Sequence, residues 1–183
     1  RVLDRDPAAA KQRLEQVQHQ LEHGELEMRA FIRGLRPQRR AAATVPRPGL
    51  RERLEELGRR VEQQWSLKVL PTVDAVADRM DDTVSEDVYR LVQEGLVNAA
   101  RHAAASAVRV DLSVAEGRVH LAIADDGKGF PFTGTYDLAS LEAIGRGPVT
   151  LRERVAELRG NLTLTSSSDT GTRLLITVPL AHA

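Results

Sequence analysis

Apolar residues recur along this chain with two different periods, and the change between them divides it. Leu14, Leu21, Met28 and Leu35 fall seven apart, with Ala10, Val17, Gly24 and Phe31 in the complementary positions; this is the seam of a long coiled-coil helix. Asp6 offers an N-cap and Pro7 a first-turn residue whose missing N–H costs nothing there. The helix is expected to stop before Pro37, because the residue ahead of a proline is driven out of the α region. A single heptad helix has to find its partners elsewhere, so the pattern predicts mates from residues preceding Arg1 and from a second copy of the chain. The stretch 37–49, with Pro37, Pro46, Pro48 and scattered arginines, has no periodicity and reads as a linker. The expected organisation is therefore 1–36 helix, 37–49 linker and 50–183 folded domain.

Within that domain the periods alternate. Leu50, Leu54, Leu57 and Val61 recur at three and four, predicting a helix over 50–61. Residues 65–73 alternate through Leu67, Val69 and Pro71 and fit an edge strand, where proline is tolerated. Ser85-Glu86-Asp87 reads as a helix start; Val88, Leu91, Val92, Leu96, Ala99 and Ala103 form its buried face as far as residue 103. Strands over 107–114 and 118–125 follow, joined by a tight turn at Ala115-Glu116-Gly117. Residues 131–147 are rich in Gly, Thr and Ser with little core pattern, and are expected to form an irregular lid. A helix over 149–158 and strands over 161–167 and 173–179 complete the domain. The predicted class is α+β: a two-layer sandwich of one mixed sheet with helices on a single face, plus the N-terminal long helix.

Composition narrows the functions that fit. Lys+Arg 26 balances Asp+Glu 26, so no global field favours nucleic acid or an anionic membrane, and any anion site must be local. There is no cysteine, which removes disulfides, thiolate metal sites and thiol nucleophiles and fits a reducing compartment. No run approaches the ~20 apolar residues that a spanning helix needs. The chain opens at Arg1 with neither Met nor a signal-like segment, so it is expected to be a piece of something longer.

Candidate chemistry gathers on two elements. The alternating strand 118–125 ends at Asp125 and runs into Asp126-Gly127-Lys128-Gly129-Phe130; two glycines one residue apart let backbone approach a ligand, and the strand-end acid is placed to accept hydrogen bonds. Read alone, Asp-Gly is also a common hairpin turn. Glu94, Asn98, Arg101 and His102 lie four, then three to four, apart and form one polar line along the helix that ends near residue 103, a line that also suits an ordinary wet flank. Gly145-Arg146-Gly147-Pro148 precedes the next helix, and Gly171-Thr172 the last strand.

In this order the four motifs resemble the asparagine box, the two glycine boxes and the terminal Gly-Thr box of the ATP-binding domain shared by histidine kinases, gyrase, Hsp90 and MutL. The stretches NAARHA from Asn98, LRERVAELRG from Leu151 and MRAFIRGLRP from Met28 are similar to sensor histidine kinases of the nitrate-sensor and DesK type, and extend the resemblance over nearly the whole chain. The first helix would then be the second helix of a dimerisation and phosphoacceptor hairpin. The resemblance implies ATP and Mg²⁺ as cofactors: Asp125 accepting the adenine amino group, Asn98 ligating Mg²⁺, Glu94 polarising the attacking nucleophile or a metal-bound water, and Arg101 and His102 near phosphate oxygens. It further implies lid hinges and backbone donors at Gly127, Gly129, Gly145 and Gly147, counts Lys128 and Arg146 among the nucleotide-binding residues, and has Thr172 line the adenine pocket.

Implied partners are a second copy in a homodimer and a response regulator with a helix-turn-helix output domain; the implied location is the cytoplasm, with any membrane link through missing parts. Two departures stand out. Pro148 and Leu151 occupy positions where the family carries Leu and Met. No histidine is followed by an acid, as the phosphoacceptor should be: His19 precedes Gln20 and His23 precedes Gly24. The expected function is ATP-dependent transfer to a histidine outside this chain. The competing readings are a dimer module with a vestigial nucleotide site, and another ATPase or serine kinase of the superfamily.

Overall fold

A computed structural model of the chain describes residues 48–180, which fall within the unit Pro46–Ala183. The expected heptad helix, and the linker as far as residue 47, lie outside the described residues.

Helix α1 (Leu50–Trp65) buries Leu50, Leu54, Leu57 and Val61, the stripe its three-and-four spacing predicts, and runs one turn beyond the expected end. Gly49 at its N-cap has no side chain to offer, and the Arg51 amide instead donates to Asp78 Oδ1 at 2.8 Å. The helix closes on Ser66 in the left-handed region, φ 53°. Strand β1 (Lys68–Val73) pairs in parallel with β2 (Ala107–Ala115) and forms one edge of the sheet, which is why Pro71 is accommodated. Between them lie a 3₁₀ turn (Ala77–Arg79) and α2 (Asp82–Asn98). Asp74 ties this crossover to the sheet, accepting from the Ala77 amide at 2.6 Å and the Val114 amide at 2.9 Å.

The start of α2 corrects the sequence reading. Asp81, not Ser85, is the N-cap, and its carboxylate accepts from the Thr83 and Val84 amides. A carboxylate beside the exposed amides of a first turn outcompetes a hydroxyl one turn later. Ser85 instead lies buried inside the helix, its hydroxyl donating to the Met80 carbonyl. At its other end α2 passes into a π turn (Ala99–Ala103), closed by Ala104 at φ 50°.

Strands β2 and β3 (Arg118–Asp125) pair antiparallel with Ala115 opposite Arg118. Glu116 (φ 51°) and Gly117 (φ 69°) make a two-residue hairpin turn whose backbone twist matches the strands. Strands β4 (Gly134–Asp137), β5 (Asn161–Ser167) and β6 (Gly171–Pro179) complete a six-stranded mixed sheet ordered β1-β2-β3-β6-β5-β4; β6 begins two residues before its expected start.

Alternation along the central strands sends Val108, Val110, Leu112, Val119, Leu121, Ile123, Leu162, Leu164, Leu174, Ile176 and Val178 to one face, each 5% exposed or less. Burying a Val, Leu or Ile side chain contributes ~1.5–3 kcal/mol, so this face is the core. The helices cover it, and Arg109, Asp111 and Arg173 face outward.

Residues 131–147 also differ from expectation, for they are not irregular throughout. β4 extends the sheet beside β5 and leads into α3 (Leu138–Ala143), capped by Asp137 accepting from the Ser140 amide. Its Leu141 is fully buried, at 0% exposure. Four strand residues and one core leucine fall below the length at which periodicity can be recognised. Helix α4 (Val149–Glu157) follows, burying Leu151, Arg152 and Val155.

Candidate functional site

At the end of β3, Asp125 turns back on its own loop. Its Oδ1 accepts the Gly127 amide at 3.0 Å and the Thr172 amide at 3.2 Å. With Oδ1 engaged by two backbone donors, Oδ2 remains for a donor outside the fold.

The neighbouring backbone is packed too tightly for side chains. A Cβ on Gly127 would stand 2.3 Å from the Ala103 carbonyl oxygen, and one on Gly171 2.2 Å from the Asp125 carbonyl oxygen, where φ is already +78°. Gly127 is thus pressed against the last residue of the π turn, and the next amide, Lys128, donates to that same Ala103 carbonyl at 2.8 Å. Asp126 fastens the loop from the other side, accepting the Ser106 and Ala107 amides at 2.8 and 3.0 Å and the Ser106 hydroxyl. Those donors, the Ser106 hydroxyl first, hold its carboxyl below the ordinary aspartate range.

This docking of the glycine turn onto the end of α2 creates a cleft that is open to solvent. Its lining is Gly95, Asn98, His102, Ala103, Ile123, Asp125, Gly129, Phe130, Pro148, Thr172 and Leu174. Asn98 and Asp125, from different elements, therefore face one space. Burial, then the charges of Arg101 and Lys128, push the His102 pKa down, so neutral imidazole sits beside two cations at this side of the cleft. A helix that ends in a π turn beside such a cleft is a recurrent arrangement at functional sites.

Of the expected site residues, Asn98, His102, Asp125, Gly129 and Thr172 line the cleft. Glu94, Arg101, Gly127, Lys128, Gly145, Arg146 and Gly147 do not. Gly127 and Lys128 bind the turn to Ala103, and Gly145 and Gly147 have positive φ at the exit of α3. Glu94 pairs across the helices with Arg154 of α4 at 3.6 Å, each side chain 25% exposed. Burial raises the Glu94 pKa, against the opposing charge of Arg154.

Sequence motifs gave no site role to Arg154, one turn inside α4, which has no recognisable mate in the sequence, nor to Gly95, Ala103, Ile123, Phe130, Pro148 and Leu174, which complete the cleft lining. On α4, Arg152 Nε and Nη1 and Arg154 Nε are buried without a hydrogen-bond partner, so the helix leading away from Gly147 carries unused cationic donors.

Among the described residues no group of three or more His, Asp or Glu is placed to hold a metal ion. The cleft offers instead the amide oxygen of Asn98, a donor set that fits a hard cation held by few protein oxygens together with a phosphate ligand.

Comparison with known proteins converges on the same domain. The sensor histidine kinase LiaS of Bacillus subtilis (strain 168) is 30% identical over 179 residues, 98% of this chain and 46% of that protein. The sensor histidine kinase YxjM of the same organism is 31% identical over 128 residues, 69% of this chain and 29% of that protein. The chain thus spans less than half the length of these relatives. Among solved structures, the blue-light activated histidine kinase of Erythrobacter litoralis EL346 superposes with a TM-score of 0.57 at 25% identity, covering 72% of this chain and 42% of that one. Residues 83–182, which carry the cleft and most of the sheet, match the histidine kinase-, DNA gyrase B- and HSP90-like ATPase family; the chain belongs to that family and is an ATP-binding catalytic domain homologous to those of the sensor histidine kinases.

Proposed function

We propose that this chain binds Mg²⁺·ATP in the cleft between α2 and the Asp125 turn, and that within its parent protein it passes the γ-phosphoryl group to a histidine outside residues 1–183 and thence to a response-regulator aspartate. The observation that carries this reading is that Asn98 and Asp125 line one cleft while two backbone amides hold Asp125 Oδ1. Asp125 Oδ2 accepts the adenine amino group, Thr172 borders the base, and Ile123 and Leu174 pack against it. At the other end Asn98 directs its amide oxygen toward the metal, His102 faces phosphate oxygens from the cleft wall, and Arg101 stands near them from beyond it. When bound, Mg²⁺ neutralises phosphate charge.

The acceptor imidazole nitrogen forms the new bond to the γ-phosphorus as the bond to the β–γ bridging oxygen breaks; ADP leaves with that electron pair. Phosphoryl transfer is chiefly positioning and charge neutralisation, so the fold's main contribution is the fixed span between Asp125 and Asn98. Glu94, one turn before Asn98, polarises the attacking group, a role suited by a carboxylate whose pKa is raised. Gly145, Arg146 and Gly147 hinge the exit of the lid. The parent acts as a homodimer, an arrangement supported by the heptad seam of Leu14, Leu21, Met28 and Leu35.

The test is γ-labelled ATP mixed with this chain and the N-terminally extended protein carrying the acceptor helix. Label is expected in an acid-labile, base-stable form that then moves to a response regulator. A protein that binds ATP yet never takes up label would refute the transfer and leave a nucleotide-binding dimer module.

A further inference from the structure

The chain has only six aromatic residues, three Phe, two Tyr and one Trp, and three of them stand within the stretch from Phe130 to Tyr136. They touch in sequence. The Phe130 and Phe132 rings stack with centroids 5.3 Å apart at 27°, and Phe132 meets Tyr136 edge to face at 5.2 Å and 87°. Phe130 lines the cleft at one end of this series. At the other, Tyr136 is held by β4 opposite Leu164 of β5, its hydroxyl donating to the Thr133 carbonyl at 3.1 Å.

The backbone between these rings is fastened as well. The Phe130 amide donates to Ser166 Oγ at 2.8 Å, a hydroxyl that is itself buried on β5. Thr135 and Thr165 share a hydroxyl hydrogen bond at 3.1 Å on the opposite face of the β4–β5 pair. Beyond β4, fully buried Leu141 reaches under Gly147, where a Cβ would meet its Cδ2 at 3.2 Å. After Leu141 the side chains leave the core: Ile144 is 44% exposed, a Cβ on Gly145 would find nothing within 4 Å, and the backbone is tied only back to α3, through the Gly145 amide on the Glu142 carbonyl and the Arg146 amide on the Leu141 carbonyl.

We propose that Phe132 and Tyr136 are positioning residues which, through this ring series, hold Phe130 as a fixed wall of the nucleotide cleft, so that the part of residues 131–147 free to move over a ligand begins beyond Leu141. The proposal rests on reading the cleft as the nucleotide site. A wall ordered before binding spares the ligand the cost of immobilising it. Aromatic pairs of this geometry contribute beyond their buried area, so breaking the series is expected to weaken ATP binding about threefold to tenfold.

The experiment uses the full 183-residue chain labelled with 4-fluorophenylalanine. Its three Phe give three ¹⁹F lines, assigned by single Phe→Leu substitutions, and Mg²⁺·ATP affinity is measured by calorimetry. In Tyr136→Leu the Phe130 line is expected to shift or broaden in the free protein and ATP affinity to fall about threefold to tenfold. Phe132→Leu should repeat both effects, and Tyr136→Phe, which keeps the ring, should restore both. A Tyr136→Leu chain that melts lower but keeps the wild-type Phe130 line and affinity would overturn the proposal, because β4 would then be only a structural edge. A wild-type chain that takes up no ATP would strike the nucleotide reading instead, and the free-protein Phe130 line would still decide whether the ring is held through Tyr136.

Discussion

Replacing Asp125 with Asn exchanges one carboxylate oxygen for an amide nitrogen and changes little else. The Asn carbonyl oxygen can still take the Gly127 and Thr172 amides that Oδ1 accepts at 3.0 and 3.2 Å, since the reverse orientation would set an NH₂ group against two donors. That requirement turns the NH₂ toward the cleft, where Oδ2 stood. The adenine amino group then meets a donor in place of a charged acceptor. A hydrogen bond to a charged group contributes ~1.5–3 kcal/mol, and leaving a donor unpaired adds ~1–3 kcal/mol. The combined loss is about 2.5–6 kcal/mol, or roughly 60- to 20,000-fold in Kd. Calorimetric titration with Mg²⁺·ATP measures the affinity, and a thermal melt shows whether the fold survives. The expected result is a large loss of affinity with a melting temperature within a few degrees of wild type. A folded variant that binds ATP within threefold of wild type would refute the role of Asp125.

Other substitutions probe the frame around it. Gly127→Ala drives a Cβ to 2.3 Å from the Ala103 carbonyl, a backbone atom that cannot step aside, and is expected to cost at least ~2 kcal/mol and about 5 °C in melting temperature. Gly95→Ala meets only the tip of Ile123 at 2.4 Å; its stability should change by less than ~1 kcal/mol, because better helix propensity offsets the shift. ATP affinity should nevertheless fall, since both residues line the cleft. Arg154→Gln leaves Glu94 without its opposing charge and should destabilise the domain by ~1–2 kcal/mol at neutral pH. Because the folded Glu94 pKa is raised above the ordinary 4.5, that loss should shrink as pH falls to 4.5, where the carboxyl is already mostly protonated; melts at pH 7 and 4.5 check this. The Asp74 pKa is lowered by the Ala77 and then the Val114 amide, so its contribution is present above the ordinary value of 3.8 and lost as pH falls through the lower folded value. The melting-temperature gap between wild type and Asp74→Asn should hold from pH 7 to 5 and close in stronger acid.

Legibility from sequence followed the length and regularity of each pattern. Val108, Val110 and Leu112 alternate with Arg109 and Asp111, so both the strand and its inward face could be read without coordinates. Leu50, Leu54, Leu57 and Val61 did the same for α1. The α2 boundary went astray because Asp81, Asp82, Ser85 and Asp87 all suit a helix start, and only the Asp81 bonds to Thr83 and Val84 decide among them. β4 was hidden because two of its four residues are Gly134 and Asp137, both poor strand formers, and its support comes from β5 and from rings on a preceding loop. At the site, Asn98 and Asp125 stood out through the resemblance of four ordered motifs and not through spacing alone, and no local pattern could reveal that Arg154, sixty residues beyond Glu94, lies opposite it. Long-range charge pairing leaves no periodic trace.

If Asp125 and Asn98 take opposite ends of one nucleotide, a ¹⁵N-labelled chain should report both ends separately. ATP without metal should shift the Thr172 amide, which bonds Asp125. Replacing Mg²⁺ by paramagnetic Mn²⁺ in the ATP complex should broaden the Asn98 side-chain amide beyond detection while leaving Thr172 less affected. A Thr172 amide indifferent to ATP, or an Asn98 side chain that stays sharp while Mn²⁺ broadens a different surface, would contradict it.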